Sequence, residues 1–172
     1  GLAIGTMFMM VAISAMNGLS VAGMAIGATI ALPEMLKRNY DKRMITGVVQ
    51  AGSSLGILIP PSVVMVLYGM IARQPVSKLW MAGILPGLLM ASLFLIYIYV
   101  RCKLQPELGP PLKKEEREVS TLEKIRLLKA GIIPFLIFFF MTGLFLMGIA
   151  SLVECSAVGA SLATLAAIYK RR

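Results

Sequence analysis

The sequence predicts an all-α membrane protein that combines a re-entrant helical hairpin with a discontinuous transmembrane helix. Three observations carry this expectation. Of 172 residues, 58% are hydrophobic and only 15% are charged, against about a quarter charged in ordinary soluble domains. The charges fall in short runs, and the uncharged stretches between them approach the ~20 apolar residues that a bilayer core demands of a helix. One of those stretches is interrupted by Gly52-Ser53-Ser54-Leu55-Gly56-Ile57-Leu58-Ile59-Pro60-Pro61-Ser62, a run with two glycines, two adjacent serines and a proline pair. Such a run is a poor regular helix.

Residues 1–36 read as the hairpin. The apolar stretch Gly1 to Met16 is short for a crossing and meets the turn-like Asn17-Gly18-Leu19-Ser20. A second short apolar run, Val21 to Leu36, follows at once, with Pro33 marking a bend or boundary near its end. After the polar loop 37–43, residues 44–72 read as the broken transmembrane helix: a half-helix from Met44 to Ala51, the interruption, then Val63 to Ala72. Residues 79–100 form the next span, with Trp80 at one interface. Residues 101–129 are a polar loop with Pro106, Pro110 and Pro111, ending in an amphipathic helix from Leu122 to Lys129 that lies on the membrane surface. Two further spans cover 130–150 and 152–169.

The net charge of +9 is a topological signal here. Basic residues sit at the ends of apolar segments instead of interleaving with aromatics along a face, which argues against nucleic-acid binding. Loop 37–43 holds four Lys and Arg, residues 101–129 hold eight and the C-terminus three, while the opposite side holds only Arg73 and Lys78. The positive-inside rule puts the richer side in the cytoplasm of a multi-pass inner-membrane protein. The first residue is Gly1 and no signal peptide is visible, so the chain reads as a fragment of a longer one. Histidine is absent, the two cysteines have no metal or disulfide spacing, and neither a Walker A motif nor a nucleophile–base pair is visible, so an enzyme is not expected.

Chemistry is expected where the backbone is unwound inside apolar sequence. Non-helical backbone survives at membrane depth only where protein or a water-filled cavity satisfies it. Unwinding frees carbonyl oxygens, and serines add hydroxyls, the ligands a hard cation such as sodium takes. A half-helix starting after Pro61 presents its positive dipole end to an anion. The hairpin turn supplies a second such point, with oxygens from Asn17 and Ser20 and with Gly18 allowing the tight reversal. The expected sodium-binding set is therefore Asn17, Gly18, Ser20, Gly52, Ser53, Ser54 and Gly56; the expected substrate-binding set is Ser20, Pro60, Pro61 and Ser62. Proline kinking for packing alone is the plainer alternative for the run. Two acids lie within apolar sequence. Glu34 reads as an interfacial residue three positions before Lys37, whereas Glu154 either caps its helix or gates an ion path. The 13 methionines have no metal-binding spacing and read as packing.

The run from Ala51 to Ser62, followed by Val66-Leu67-Tyr68-Gly69, resembles the large membrane subunit of the TRAP (tripartite ATP-independent periplasmic) transporters. Ile26-Gly27, Ile30 to Met35, Lys37 to Asp41, Ala82 to Gly87 and Val153 to Ala160 extend the resemblance over essentially the whole chain. The resemblance implies a sodium-coupled, elevator-type importer of organic acids with an inverted repeat, of which this chain covers mostly the first. Its implied partners are a small membrane subunit and a periplasmic substrate-binding protein. It implies no cofactor, with sodium as coupling ion. Two motifs depart from the family pattern. The hairpin tip, usually richer in Gly-Ser-Ser, reads Asn17-Gly18-Leu19-Ser20, and Ser151-Leu152-Val153 stands where Thr-Pro-Thr is usual. A channel-like or structural membrane subunit without coupled transport is the competing class. A channel would need a continuous polar stripe along its helices, which this sequence lacks.

Overall fold

In the computed structural model, residues 1–110 and 121–170 are described, with side chains described for 1–110 and 131–168. All regular elements among the described residues are helical. The chain divides into two compact units, Gly1–Lys113 and Lys114–Arg172.

The first unit begins with α1 (Leu2–Asn17) and α2 (Ser20–Lys37). Gly18 separates them in the left-handed region (φ 65°), and its N–H donates to the Ser14 carbonyl at 2.9 Å. Glycine alone takes this conformation routinely. Pro33 lies inside α2, which continues to Lys37, so it does not mark the end of the helix. An internal proline removes one backbone donor, and packing can offset this loss. Glu34 forms an ion pair with Arg38 one turn later, at the polar end of α2.

A four-residue reversal leads into α3 (Lys42–Ser54). Asn39 accepts a positive φ of 56°, which a short polar side chain tolerates. Asp41 then caps α3: its carboxylate accepts from the N–H groups of Arg43 (2.9 Å) and Met44 (3.1 Å). A 3₁₀ turn at Leu55–Ile57 follows, then the non-helical segment 58–62, and α4 (Val63–Ala72). The unwound stretch is shorter than the sequence suggests, because Gly52, Ser53 and Ser54 remain helical. Ser53 Oγ donates to the Val49 carbonyl at 2.7 Å and Ser54 Oγ to the Ala51 carbonyl at 2.8 Å. These local bonds are compatible with helix, so serine does not unwind the backbone here. The α5 helix (Val76–Leu104) spans 29 residues with Pro86 inside it, and is the one helix among the described residues long and apolar enough to cross a membrane. Shorter apolar helices include α1 and α4.

α1, α2 and α3 pack on one another around Met7, Met10, Met35, Ile45, Val48 and Leu55, all nearly inaccessible. The methionines are therefore packing residues at this junction. Met10 occupies a slot between two glycines. A Cβ on Gly27 would lie 2.6 Å from Met10 Cε, and one on Gly52 would lie 2.5 Å from Met10 Cβ. Small residues at such points let helix backbones approach closely. Met10 Cβ cannot swing aside, so Gly52→Val should destabilise the unit by about 1–3 kcal/mol. A lower unfolding temperature of the purified protein would report it, and Gly47→Ala, with open space around it, is the control.

The second unit holds α6 (Thr121–Leu146) and α7 (Leu152–Lys170). α6 is continuous from Thr121, whereas the sequence predicts a separate surface helix at 122–129 and a span at 130–150; how the side chains of 122–129 are disposed lies outside the described residues. The change from polar to apolar sequence changes the solvent preference of a helix without breaking its hydrogen bonds. The helix ends earlier than Ala150, because Gly148 adopts a positive φ of 70°, the usual way a helix terminates. Glu154 is a cap. Its Oε2 accepts from the Ser151 N–H (2.7 Å) and hydroxyl (2.8 Å), and its own N–H donates back to Ser151 Oγ (3.3 Å). This reciprocal pair is a capping box. The Lys113 to Glu118 run and the terminal Arg171 and Arg172 lie outside the described residues.

Candidate ion and substrate site

The hairpin tip meets the break in the α3–α4 segment. The Val63 N–H, at the start of α4, donates to the Gly18 carbonyl at 3.2 Å. A Cβ on Gly18 would sit 2.6 Å from the Pro61 carbonyl oxygen, and one on Gly56 would sit 2.6 Å from the Ser14 carbonyl oxygen. Two interrupted elements, distant in sequence, thus touch through backbone at positions where only glycine fits.

The other expected site residues are distributed around this contact. The Asn17 side chain is exposed and its amide nitrogen donates to the Ile13 carbonyl at 2.8 Å, a bond that does not engage its amide oxygen. Ser20 Oγ is buried without a hydrogen-bond partner. Ser53 is fully buried, whereas Ser54 is exposed. Ser62 is fully buried and caps α4, its hydroxyl accepting from Met65 N–H at 3.3 Å. Pro60 and Pro61 occupy the unwound segment and are joined by a cis bond. No residue of either expected set carries an ionisable side chain, so the site is neutral.

Sequence reasoning missed two contributors. Ser14 is fully buried, its Oγ has no partner, and it faces Gly23 so closely that a Cβ there would overlap it. A lone serine in an apolar helix gives no signal of this. The second contributor is α5. Trp80 is buried, and its indole N–H donates to the Ser62 carbonyl at 3.3 Å. One turn on, a Cβ at Gly83 would lie 2.5 Å from the Leu58 carbonyl oxygen; a further turn on, one at Gly87 would lie 2.8 Å from Ile59 Cγ1. The spacing Trp80, Gly83, Gly87 puts one face of α5 along the unwound segment. Trp80→Phe removes the bond while keeping the bulk; the Ser62 carbonyl retains its bond from the Val66 N–H, so the change should cost about 0.5–1.5 kcal/mol. Thermal unfolding beside the unsubstituted protein measures it.

The family model described as "Tripartite ATP-independent periplasmic transporter, DctM component" matches residues 1–172. The chain belongs to this family. Among curated TRAP proteins, the C4-dicarboxylate large permease protein DctM of Pseudomonas aeruginosa is 38% identical over 100 residues, 58% of this chain and 23% of that protein. The ectoine/5-hydroxyectoine large permease protein UehC of Ruegeria pomeroyi is 37% identical over 101 residues, 58% of this chain and 23% of that protein. The isethionate permease protein DctMQ of Oleidesulfovibrio alaskensis is 34% identical over 99 residues, 58% of this chain and 16% of that protein. The aligned stretch is thus about a quarter or less of each of these TRAP relatives. No solved structure matches the chain. Membership places the chain among transporter permease subunits, which are not enzymes.

Proposed function

We propose that this chain is the first hairpin-containing half of the large subunit of a sodium-coupled TRAP importer that takes organic acids into a bacterial cell across the inner membrane. The observation that carries the proposal is the contact between the hairpin tip and the break, made by the Val63 N–H and the Gly18 carbonyl. Secondary transporters build midplane sites from discontinuous helices of this kind. About 13 residues of α3 precede the break and 10 residues of α4 follow it. At 1.5 Å per residue these climb about 20 and 15 Å, which sets the break near the middle of a core about 30 Å thick. The tip that touches it belongs at the same depth, as a re-entrant hairpin requires.

Sodium is the coupling ion in this reading, held by oxygens of Asn17, Gly18, Ser20 and the Gly52 to Gly56 segment, with Ser14 as an added candidate. The fit rests on neutral oxygen donors and on the two buried hydroxyls of Ser14 and Ser20 that lack partners. Such a hydroxyl costs about 1–3 kcal/mol unless something satisfies it. The substrate's acidic group belongs at the N-terminus of α4, near Ser20, Pro60, Pro61 and Ser62, where the helix dipole favours negative charge. The elevator mode, the small membrane subunit and the periplasmic binding protein complete the proposal, as does a cytoplasmic position for loop 37–43. The test is uptake of an organic acid by the complete transporter in proteoliposomes, with its binding protein outside. Uptake driven by an inward sodium gradient supports the proposal; uptake indifferent to sodium overturns the coupling, and ungated flux favours a channel.

A further inference from the structure

A groove of about 770 Å³ opens between α3 and α5, away from the hairpin tip. This is within the size range of ligand sites, about 300–1,000 Å³. Arg43, in the first turn of α3, and Arg101, in the last turn of α5, line one end. Val48 and Ala51 on α3 and Leu93 and Phe94 on α5 are among the residues that line its deeper part, and Gln105 lies beside the arginine end. Ala51 is eight residues along α3 from Arg43, and Leu93 is eight residues back along α5 from Arg101. On both walls an apolar strip of about 12 Å therefore runs from the arginine into the span. The one acid on the lining, Asp41, is engaged in capping α3. Among the described residues, neither arginine forms an ion pair.

We infer that this groove binds an anionic phospholipid, with its phosphate on Arg43 and Arg101 and an acyl chain along the strip between α3 and α5. The charge order decides the occupant. One cation sits at the end of the long α5 and the other at the start of α3, and hydrocarbon contacts lie deeper, the same order as in an acidic lipid standing in its leaflet. Basic pockets between transmembrane helices at the membrane surface recognise acidic head groups in this way. A free phosphate would leave the apolar strip unused. Neither arginine belongs to the proposed sodium or substrate site, so loss of lipid preference and loss of sodium activation are separable.

The complete permease complex, titrated in mild detergent with phosphatidylglycerol or phosphatidylcholine of the same acyl chains, should retain the former preferentially by native mass spectrometry. Arg43→Gln with Arg101→Gln should weaken phosphatidylglycerol binding about 25-fold, about five-fold per arginine, and leave phosphatidylcholine unchanged. Lys37→Gln with Lys103→Gln removes equal charge outside the groove lining and should preserve the preference; an equal loss there overturns the inference. A photo-reactive phenylalanine analogue at Tyr97, which also lines the groove, should cross-link lipid in the otherwise native complex. Capture there of another protein segment instead would mean that the groove is covered by protein, and would overturn the inference whether or not the arginine variant assembles.

Discussion

Replacing Pro60 and Pro61 together by alanine should abolish sodium activation of uptake by the complete transporter. Each proline disfavours an α-helix by about 3 kcal/mol relative to alanine, so the double change moves the balance toward a continuous α3–α4 helix by up to about 6 kcal/mol. A continuous helix would withdraw the Pro61 carbonyl from Gly18 and the Val63 N–H from the Gly18 carbonyl. The expected result is a loss of at least about 100-fold in sodium-driven uptake, since 1.4 kcal/mol is already ten-fold. Ser53→Ala and Ser54→Ala should be milder, a few-fold at most, because both hydroxyls donate back to their own helix. A sodium titration of uptake, with protein levels matched, separates the cases. Normal sodium activation in the double proline variant would mean that the break has no part in coupling.

Gly18→Val is the second large effect. The residue sits at φ 65°, and an added Cβ would meet the Pro61 carbonyl oxygen at 2.6 Å. The backbone conformation alone costs a residue with a side chain about 1–2 kcal/mol, and the collision adds about 1–3 kcal/mol of overpacking. Together these should raise the sodium concentration for half-maximal uptake by more than about ten-fold. Gly18→Asn distinguishes the two causes, since asparagine tolerates the left-handed conformation but still carries a Cβ. If the collision dominates, Gly18→Asn stays as impaired as Gly18→Val; if strain dominates, Gly18→Asn approaches the native response. An unchanged sodium response in Gly18→Val would separate the hairpin tip from the break in the working transporter.

The breaks were legible because glycine and proline act locally. Asn17-Gly18 announces a reversal and Pro60-Pro61 announces a gap in a helix, whatever surrounds them. The extent of the gap was not legible. Gly52, Ser53 and Ser54 are weak helix formers, yet they stay helical because Gly52 gives room to Met10 and the serine hydroxyls bond back along the helix. Tertiary packing outweighs propensity at Gly52 and Ser53, while at exposed Ser54 a local bond to the Ala51 carbonyl is compatible with the helix. Ser14 and Trp80 were hidden for a different reason. A small residue in an apolar stretch and a tryptophan near a helix start both have ordinary explanations, and only the folded chain brings them to the break. Glu154 shows the converse: Ser151 and Glu154 have capping-box spacing, so its role follows from sequence as one of two readings and from geometry as the cap.

The face of α5 that carries Trp80, Gly83 and Gly87 has a mechanical consequence. An unwound segment in a helix is ordinarily where a chain can pivot. Here Leu58 abuts Gly83, Ile59 abuts Gly87, Ser62 is tethered to Trp80, and Gly18 closes over Pro61. These contacts with α5 and the hairpin tip hold the segment in place, so a swing of α4 against α3 would first have to pry it from α5. In the proposed transport cycle, these contacts favour carrying the hairpin, both half-helices and the adjoining part of α5 as one block. Sliding or tilting of that block meets less resistance than flexing within it, and spin labels placed on α1 and α4 should keep a constant separation while their distances to the rest of the transporter change.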